Sequence, residues 1–254
     1  MDSPQGMPQG LGQDMPQDLL FHPLIRAENT EAVVMQGMKR KYYRFRASRH
    51  YGGIVTADAI GCPFLCVYCW NYGRNENPAK SGEFYAPGEV VERLTSIAHR
   101  KGIRLFRISG AEPVLGPASF DHLLEVLPAG RFIIETNGLV LGARPDLAGR
   151  LAGLNASVRI SIKGWDEVSF ERISGARREF FRYPLIALKT LLSAGVDAWP
   201  AVMGDLFGAN GTKCLAARMD EMGIRTRIET EYLERYPSVL STMRKRGWEI
   251  SGKG

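Results

Sequence analysis

Long apolar runs are missing from the sequence. No stretch approaches ~18 consecutive apolar residues, so no membrane-spanning helix is predicted. A secretory leader pattern is missing too: the first residues have no basic region and no apolar run, and they carry Asp2, Asp14 and Asp18. Without an export signal, the expected location is the cytoplasm. Cysteine is scarce, four in 254 residues, which excludes the disulfide framework of a small secreted domain. Histidine is equally scarce, and His22, His50, His99 and His122 are too scattered to pair as metal ligands. Neither sign of charge dominates. The 33 Lys and Arg against 27 Asp and Glu leave +6, which permits an anionic partner such as nucleic acid, a nucleotide or an acidic protein without requiring one. What remains, 44% hydrophobic and 24% charged, is the balance of a globular domain.

The chain divides into three stretches. Residues 1–18 repeat Gln5, Gln9, Gln13 and Gln17 among Pro4, Pro8 and Pro16, with no aromatic to seed a core. They read as a low-complexity, disordered tail, a spacer in preference to a partner-binding arm. Residues 19–52 read as an adapter, and residues 53–254 as the core domain. Within the core, strands are predicted at 54–60, 104–109, 131–136, 157–162, 197–203 and 224–229. Helices are predicted between and after them at 87–101, 120–127, 145–151, 183–194, 212–222 and 237–246. Six strand–helix alternations predict parallel βα units with right-handed crossovers. Six are fewer than the eight of a closed barrel. A laterally open partial (βα)6 barrel or a doubly wound sheet satisfies the pattern, and in both the chemistry belongs at the C-terminal ends of the strands.

Three of the four cysteines fall on the loop after the first of these strands: Cys62-x3-Cys66-x-Tyr68-Cys69. Thiolates so close can converge on one metal centre. A zinc site ordinarily adds a fourth ligand, and none is evident, since Cys214 stands alone. A cubane iron–sulfur cluster ordinarily takes four thiolates, so three leave one iron open. A zinc knuckle or a non-catalytic iron–sulfur protein is the alternative. This loop, with an aromatic directly before the third cysteine, resembles that of the radical S-adenosylmethionine superfamily. The resemblance implies a partial barrel, a [4Fe–4S] cluster on Cys62, Cys66 and Cys69, and S-adenosylmethionine bound to the open iron. It also implies reductive cleavage to a 5′-deoxyadenosyl radical that abstracts hydrogen from substrate.

Further motifs stand at successive strand ends. Gly110-Ala111-Glu112-Pro113 is similar to the family's Gly-Gly-Glu-Pro, which receives the methionyl ammonium, with Ala111 in place of the second glycine. Thr136-Asn137-Gly138 is similar to a family Thr-Asn-Gly and suits a ribose. Ser161 and Lys163 share one strand face and suit a ribose and a carboxylate. Met203 is placed beside the adenine. Tyr68, Glu112, Thr136, Ser161 and Lys163 are thus expected to position the cosubstrate. Loss of Glu112 or Lys163 is expected to weaken cosubstrate binding while changing the melting temperature little. The stretch after the fourth strand resembles the pyruvate formate-lyase activating enzyme branch, which has Asp-x-Lys where this chain has Ser161-x-Lys163.

Residues 39–51 (KRKYYRFRASRHY) hold six Lys or Arg and four aromatics. The interleaving suits nucleic acid, or an acidic electron donor of the flavodoxin or ferredoxin type. The plainer reading is a lead-in strand with Tyr43 and Phe45 inward and Arg44 and Arg46 in solvent. The leading expectation for function is hydrogen abstraction from a macromolecule, a partner protein as in glycyl-radical activating enzymes. Radical modification of tRNA or a nucleotide is the second, since Cys69-Trp70 resembles the Cys-Trp of wyosine-forming tRNA enzymes.

Overall fold

A computed structural model describes residues 20–248; the tail expected at 1–18 lies outside them. One sheet organises the fold, and its strands in chain order are β1 (Met35–Gln36), β2 (Lys39–Ser48), β3 (Ile54–Ala59), β4 (Glu83–Tyr85), β5 (Leu105–Ser109), β6 (Arg131–Thr136), β7 (Ala156–Ser161), β8 (Ala198–Met203) and β9 (Glu229–Glu231). The order across the sheet is β1-β2-β3-β5-β6-β7-β8-β9, with β4 also on β2. From β3 to β9 every neighbour is parallel, giving the six βα units expected. The helices that bear on the argument are α1 (Pro23–Val34), α2 (Tyr72–Glu76), α3 (Pro87–Lys101), α4 (Pro117–Val126), α5 (Leu139–Ala143), α6 (Pro145–Gly149), α7 (Glu167–Ser174), α8 (Arg182–Ser193), α9 (Gly204–Glu221) and α10 (Pro237–Lys245). Among the described residues, no helix is long and apolar enough to cross a membrane.

The strands bury different chemistry on their two faces. Val55, Ala57, Phe106, Ile108, Phe132, Ile134, Val158 and Ile160 alternate toward the helices. There they share one core with Leu94 of α3, Phe120 and Leu123 of α4, and Leu188 and Leu191 of α8. Burying each such side chain is worth about 1.5–3 kcal/mol, so this outer layer holds the sheet curved. The residues between them face inward. At the N-terminal ends of the strands, Ile54, Leu105, Ile133 and Trp199 close into a small apolar plug. One step further along come Thr56, Asp58, Arg107, Glu135 and Arg159, all charged or polar. A closed barrel fills this layer with Val, Ile and Leu.

Two elements depart from the sequence reading. The last strand starts at Glu229, not at 224. Residues 224–228 run beside β8 held by a side chain, Thr226 Oγ1 to Ala198 O at 3.2 Å, and ladder pairing begins only where Glu229 meets Ala201. The basic segment 39–51 divides. Arg40 is buried and donates to the carbonyls of Ile60 and Glu112, and Lys41 donates to Pro78 O and Ala79 O. Tyr42 packs inside with Phe45 and Tyr85. A register shift between Tyr42 and Arg44 then turns Arg44 and Arg46 onto Asp58 of β3.

His122 of α4 is buried between Tyr42 Oη, 2.9 Å from Nε2, and Met38 O, 2.7 Å from Nδ1. Burial lowers its pKa from 6.5 to about 4. A depressed histidine stabilises the fold fully above the unfolded pKa and loses that contribution as pH falls through 6.5 toward 4. Stability is therefore expected to drop by about 2 kcal/mol between about pH 7 and about pH 5. In His122→Gln that part of the slope should vanish in urea titrations at the two pH values; an unchanged slope would place the acid sensitivity elsewhere.

Candidate active site

The cysteine loop leaves β3 through Gly61, whose φ is +95° and whose Cβ would meet Thr30 Cγ2 of α1 at 2.6 Å. Only glycine satisfies both demands. Two neighbours then clamp the loop. The β5 side takes it through Glu112 N to Gly61 O at 3.0 Å and Asn71 Nδ2 to Gly110 O at 2.7 Å. Gly110 itself has φ +83°, and a Cβ there would lie 2.8 Å from Asp58 Cβ. The α7 side takes the loop through Leu65 N to Ser174 O and Val67 N to Ile173 O, with Phe64 edge-on to Phe170. Helix α7 is held in place by its own cap, Asp166 Oδ1 accepting from Ser169 N at 2.7 Å.

Cys62, Cys66 and Cys69 come to one cavity of 1350 Å³. Burial raises all three thiol pKa values, that of Cys69 to about 11, so the free thiols are protonated and yield their protons when they bind metal. N–H donors already aim at the sulfurs: Phe64 N at Cys62 and Asn71 N at Cys69. The Asn75 amide lies 3.5 Å from the sulfur of Cys69, and that of Asn137 lies 3.9 Å from the sulfur of Cys62. Such donors support thiolates that carry a cluster's charge. Among the described residues no group of three or more His, Cys, Asp and Glu closes around a single ion; in a cubane each cysteine binds its own iron, so closure of that kind is not demanded.

Every other residue singled out from sequence lines the same cavity: Tyr68, Gly110, Ala111, Glu112, Thr136, Asn137, Ser161, Lys163 and Met203. Their polar groups are already partnered with one another. Glu112 accepts from Thr136 Oγ1 at 2.6 Å, Asn137 N at 2.7 Å and Val114 N at 3.0 Å. Burial lifts its pKa to about 7, against those donors and Arg40. Asn137 Oδ1 accepts from Leu139 N, and Thr136 Oγ1 from Gly138 N. Lys163 Nζ lies 3.1 Å from Tyr68 Oη. Burial works against its ammonium, while the hydrogen bond to Tyr68 and the carboxylate of Glu231 favour it, and it stays cationic. Ser161 Oγ accepts from Arg159.

Of the rest of the cavity wall, the sequence reading named Arg44, Arg46 and Trp70 but not their partners or the charges within the strands. Arg44 and Arg46 share Asp58, Arg107 pairs with Glu135 at 2.9 Å, and Arg159 pairs with Glu229 at 3.0 Å and Glu231 at 2.6 Å. Asn75, whose Oδ1 is buried without a partner, and Trp70 also line the cavity, as does the segment after β9 through Tyr232, Leu233 and Tyr236. The missed signal was a charge standing inside apolar strands, as in LFRIS, RFIIET and SVRIS, because a parallel strand buries a charge only against a partner.

Residues 59–211 match the family model described as the Radical SAM superfamily. The chain belongs to the radical SAM superfamily. Its members use a [4Fe–4S] cluster and S-adenosylmethionine, so this is a radical SAM enzyme. Curated relatives include a probable GTP 3′,8-cyclase of Methanocella arvoryzae, 29% identical over 165 residues, which covers 63% of this chain and 51% of the relative. Another, of Thermoplasma volcanium, is 35% identical over 118 residues, 45% of this chain and 33% of the relative. The chain thus spans about half the length, or less, of these curated relatives. Among solved structures, Streptococcus suis SuiB bound to precursor peptide SuiA superposes with a TM-score of 0.61 at 14% identity, over 79% of this chain and 42% of that one. A cysteine-to-alanine mutant of spore photoproduct lyase superposes at 0.56 and 12% identity, over 91% of this chain and 71% of that one. At such identities the likeness is one of fold, the laterally open partial barrel of radical SAM enzymes.

Asn75 bears on Cys69 directly. Its N–H toward Cys69 stabilises added negative charge, so Asn75→Leu is expected to shift the midpoint potential of the reconstituted cluster to more negative values. Redox titration followed by electron paramagnetic resonance reads the shift; an unmoved midpoint at full iron content would deny Asn75 this role.

Proposed function

We propose that this radical SAM enzyme abstracts hydrogen from a nucleotide, or from a nucleotide unit of RNA, held inside the half-barrel. Cys62, Cys66 and Cys69 hold the cluster, and Tyr68, Gly110, Ala111, Glu112, Thr136, Asn137, Ser161, Lys163 and Met203 form the cosubstrate's side of the cavity. The bound cluster and S-adenosylmethionine supply one-electron cleavage of a C–S bond and, from it, a carbon radical able to take a hydrogen atom.

The chain's own residues do the rest. Glu112 draws the ends of β5 and β6 together and starts the cysteine loop through its own N–H. Lys163, kept cationic against Tyr68, offers a fixed positive charge beside the thiols. The apolar plug of Ile54, Leu105, Ile133 and Trp199 closes the inner floor.

The observation that carries the substrate assignment is the cavity wall beyond the cosubstrate residues. It sets paired arginines and carboxylates beside aromatic side chains such as Trp70 and Tyr232, where a purely structural barrel interior is aliphatic, so it suits a guest with both a ring and polar, hydrogen-bonding groups. The curated relatives, named for a nucleotide reaction, support the same class. The serine at position 161, where the activating enzymes have an acid, weighs against a partner protein as substrate. The electron is assigned to a flavodoxin- or ferredoxin-type donor.

The test is anaerobic turnover with dithionite, S-adenosylmethionine and deuterated ribonucleotides, deuterated RNA or deuterated cellular protein in separate arms. Deuterium reaching 5′-deoxyadenosine from the nucleotide or RNA arm is expected. Label arriving from the protein arm alone would reinstate the activating-enzyme reading.

A further inference from the structure

The two sides of the open sheet carry inverted charge pairings. On β2 and β3, one fully buried carboxylate, Asp58, serves two guanidinium groups: Arg44 Nε at 2.7 Å, and Arg46 by Nε at 2.7 Å and Nη2 at 3.3 Å. One positive charge is left over. At the other side the ratio is inverted. One buried guanidinium, Arg159, serves two carboxylates, Glu229 and Glu231, and Glu231 also faces the Lys163 ammonium in the same cavity, so this grouping is rich in acceptors. All four flanking groups, Arg44, Arg46, Glu229 and Glu231, line the cavity that holds the cysteines. The flanking side chains are partly solvated, Arg44 at 45% and Arg46 at 27% exposed, Glu229 at 31% and Glu231 at 34%, so a guest reaches them without breaking a buried pair.

Neither grouping is loose. Arg44 lies 5.6 Å over the Trp70 ring, and Asp58 accepts from the Nε atoms of both arginines. Glu229 also accepts from Trp199 Nε1 at 2.5 Å. Two guanidinium groups fixed on one buried carboxylate make a receptor for a phosphoryl group, whose oxygens form charge-assisted bonds with arginine. Two carboxylates fixed on one arginine repel an anion and accept from N–H donors.

We propose that the cavity orients a ribonucleotide, with its phosphate on Arg44 and Arg46 and an exocyclic amino group of its base toward Glu229 and Glu231. This rests on the nucleotide reading above and adds a direction to it: phosphate at β2, amino-bearing base at β9. It also sets a specificity, because uracil has no exocyclic amino group to present.

Calorimetric titration of the reconstituted holoprotein, saturated with S-adenosylmethionine, tests it with AMP, GMP, adenosine, guanosine and UMP. The wild type is expected to bind each purine nucleotide about tenfold or more tighter than its nucleoside, the worth of charged hydrogen bonds to phosphate. It is also expected to prefer AMP and GMP to UMP. In the Arg44→Gln, Arg46→Gln double variant, nucleotide and nucleoside should bind alike, while Glu231→Gln should narrow the gap between GMP and UMP and keep the preference for phosphate. A double variant that retains the full preference for nucleotide over nucleoside overturns the proposal. Should the double variant fail to fold over an unpaired Asp58, Arg44→Gln alone decides, because Arg46 still binds both carboxylate oxygens. A preference equal to wild type there overturns it equally. A wild type that binds none of the five overturns the nucleotide reading itself, whereas one that binds nucleosides and nucleotides equally overturns only the orientation.

Discussion

Replacing Cys66 with alanine is expected to remove the iron from the protein. Anaerobically reconstituted wild type should carry about four irons per chain, the content of one cubane, and the Cys66→Ala chain close to none, with loss of the broad visible absorption. The structure explains why one thiol is enough to lose. Cys66 stands between Cys62 and Cys69 on the loop, and all three open to the same cavity, so each is needed to close the set. Cys214, exposed on α9, is not positioned to replace it. The fold should survive, since the loop is pinned by Leu65, Val67 and Phe64 and not by the thiols. Stoichiometric zinc after reconstitution with iron and sulfide, in wild type, would sink the cluster assignment.

What the sequence made legible, and what it hid, follow from the same physics. The strand ends were readable because a βα unit places its ligand-binding residues where the hydrophobic run stops, and the run is visible as Val, Ile and Phe. Cys62, Glu112, Thr136, Lys163 and Met203, distant in sequence, therefore meet at one cavity. The inner wall was hidden because its members stand inside those runs. Arg107 in the middle of β5 reads as a solvated cation until Glu135, the penultimate residue of β6, is seen to face it at 2.9 Å. Arg40 misleads similarly: a basic residue in a basic segment, yet buried on two backbone carbonyls. The register shift in β2 had no signature of its own, and it is what turns Arg44 and Arg46 from the surface to the cavity. The late start of β9 was also hidden, since residues 224–228 alternate as a strand does while bonding β8 through a side chain.

Glu112→Ala is expected to cost stability as well as cosubstrate binding, contrary to what its place at a strand end suggests by itself. The carboxylate is 2% exposed and accepts from Thr136 Oγ1, Asn137 N and Val114 N. Alanine leaves the two backbone donors buried and unmet, and each unmet group costs about 1–3 kcal/mol. A loss of about 3 kcal/mol lowers the melting temperature of a domain this size by about 6–12 °C. Glutamine keeps one acceptor oxygen for Thr136 and Val114 and presents N–H to the Asn137 amide, so Glu112→Gln should fall between wild type and alanine. Lys163→Ala supplies the contrast. Among the described residues Lys163 makes one side-chain bond, to Tyr68 Oη, and both groups line the cavity, so its loss should leave the melting temperature within about 2 °C of wild type. Both alanine variants are expected to lose S-adenosylmethionine binding, measured by equilibrium dialysis on reconstituted protein. Melting of the metal-free chains separates the two roles before any cofactor enters. A Glu112→Ala chain that melts with the wild type would show that the three hydrogen bonds do not hold β5 to β6, and a Lys163→Ala chain that melts far below it would move that lysine from the cosubstrate to the fold.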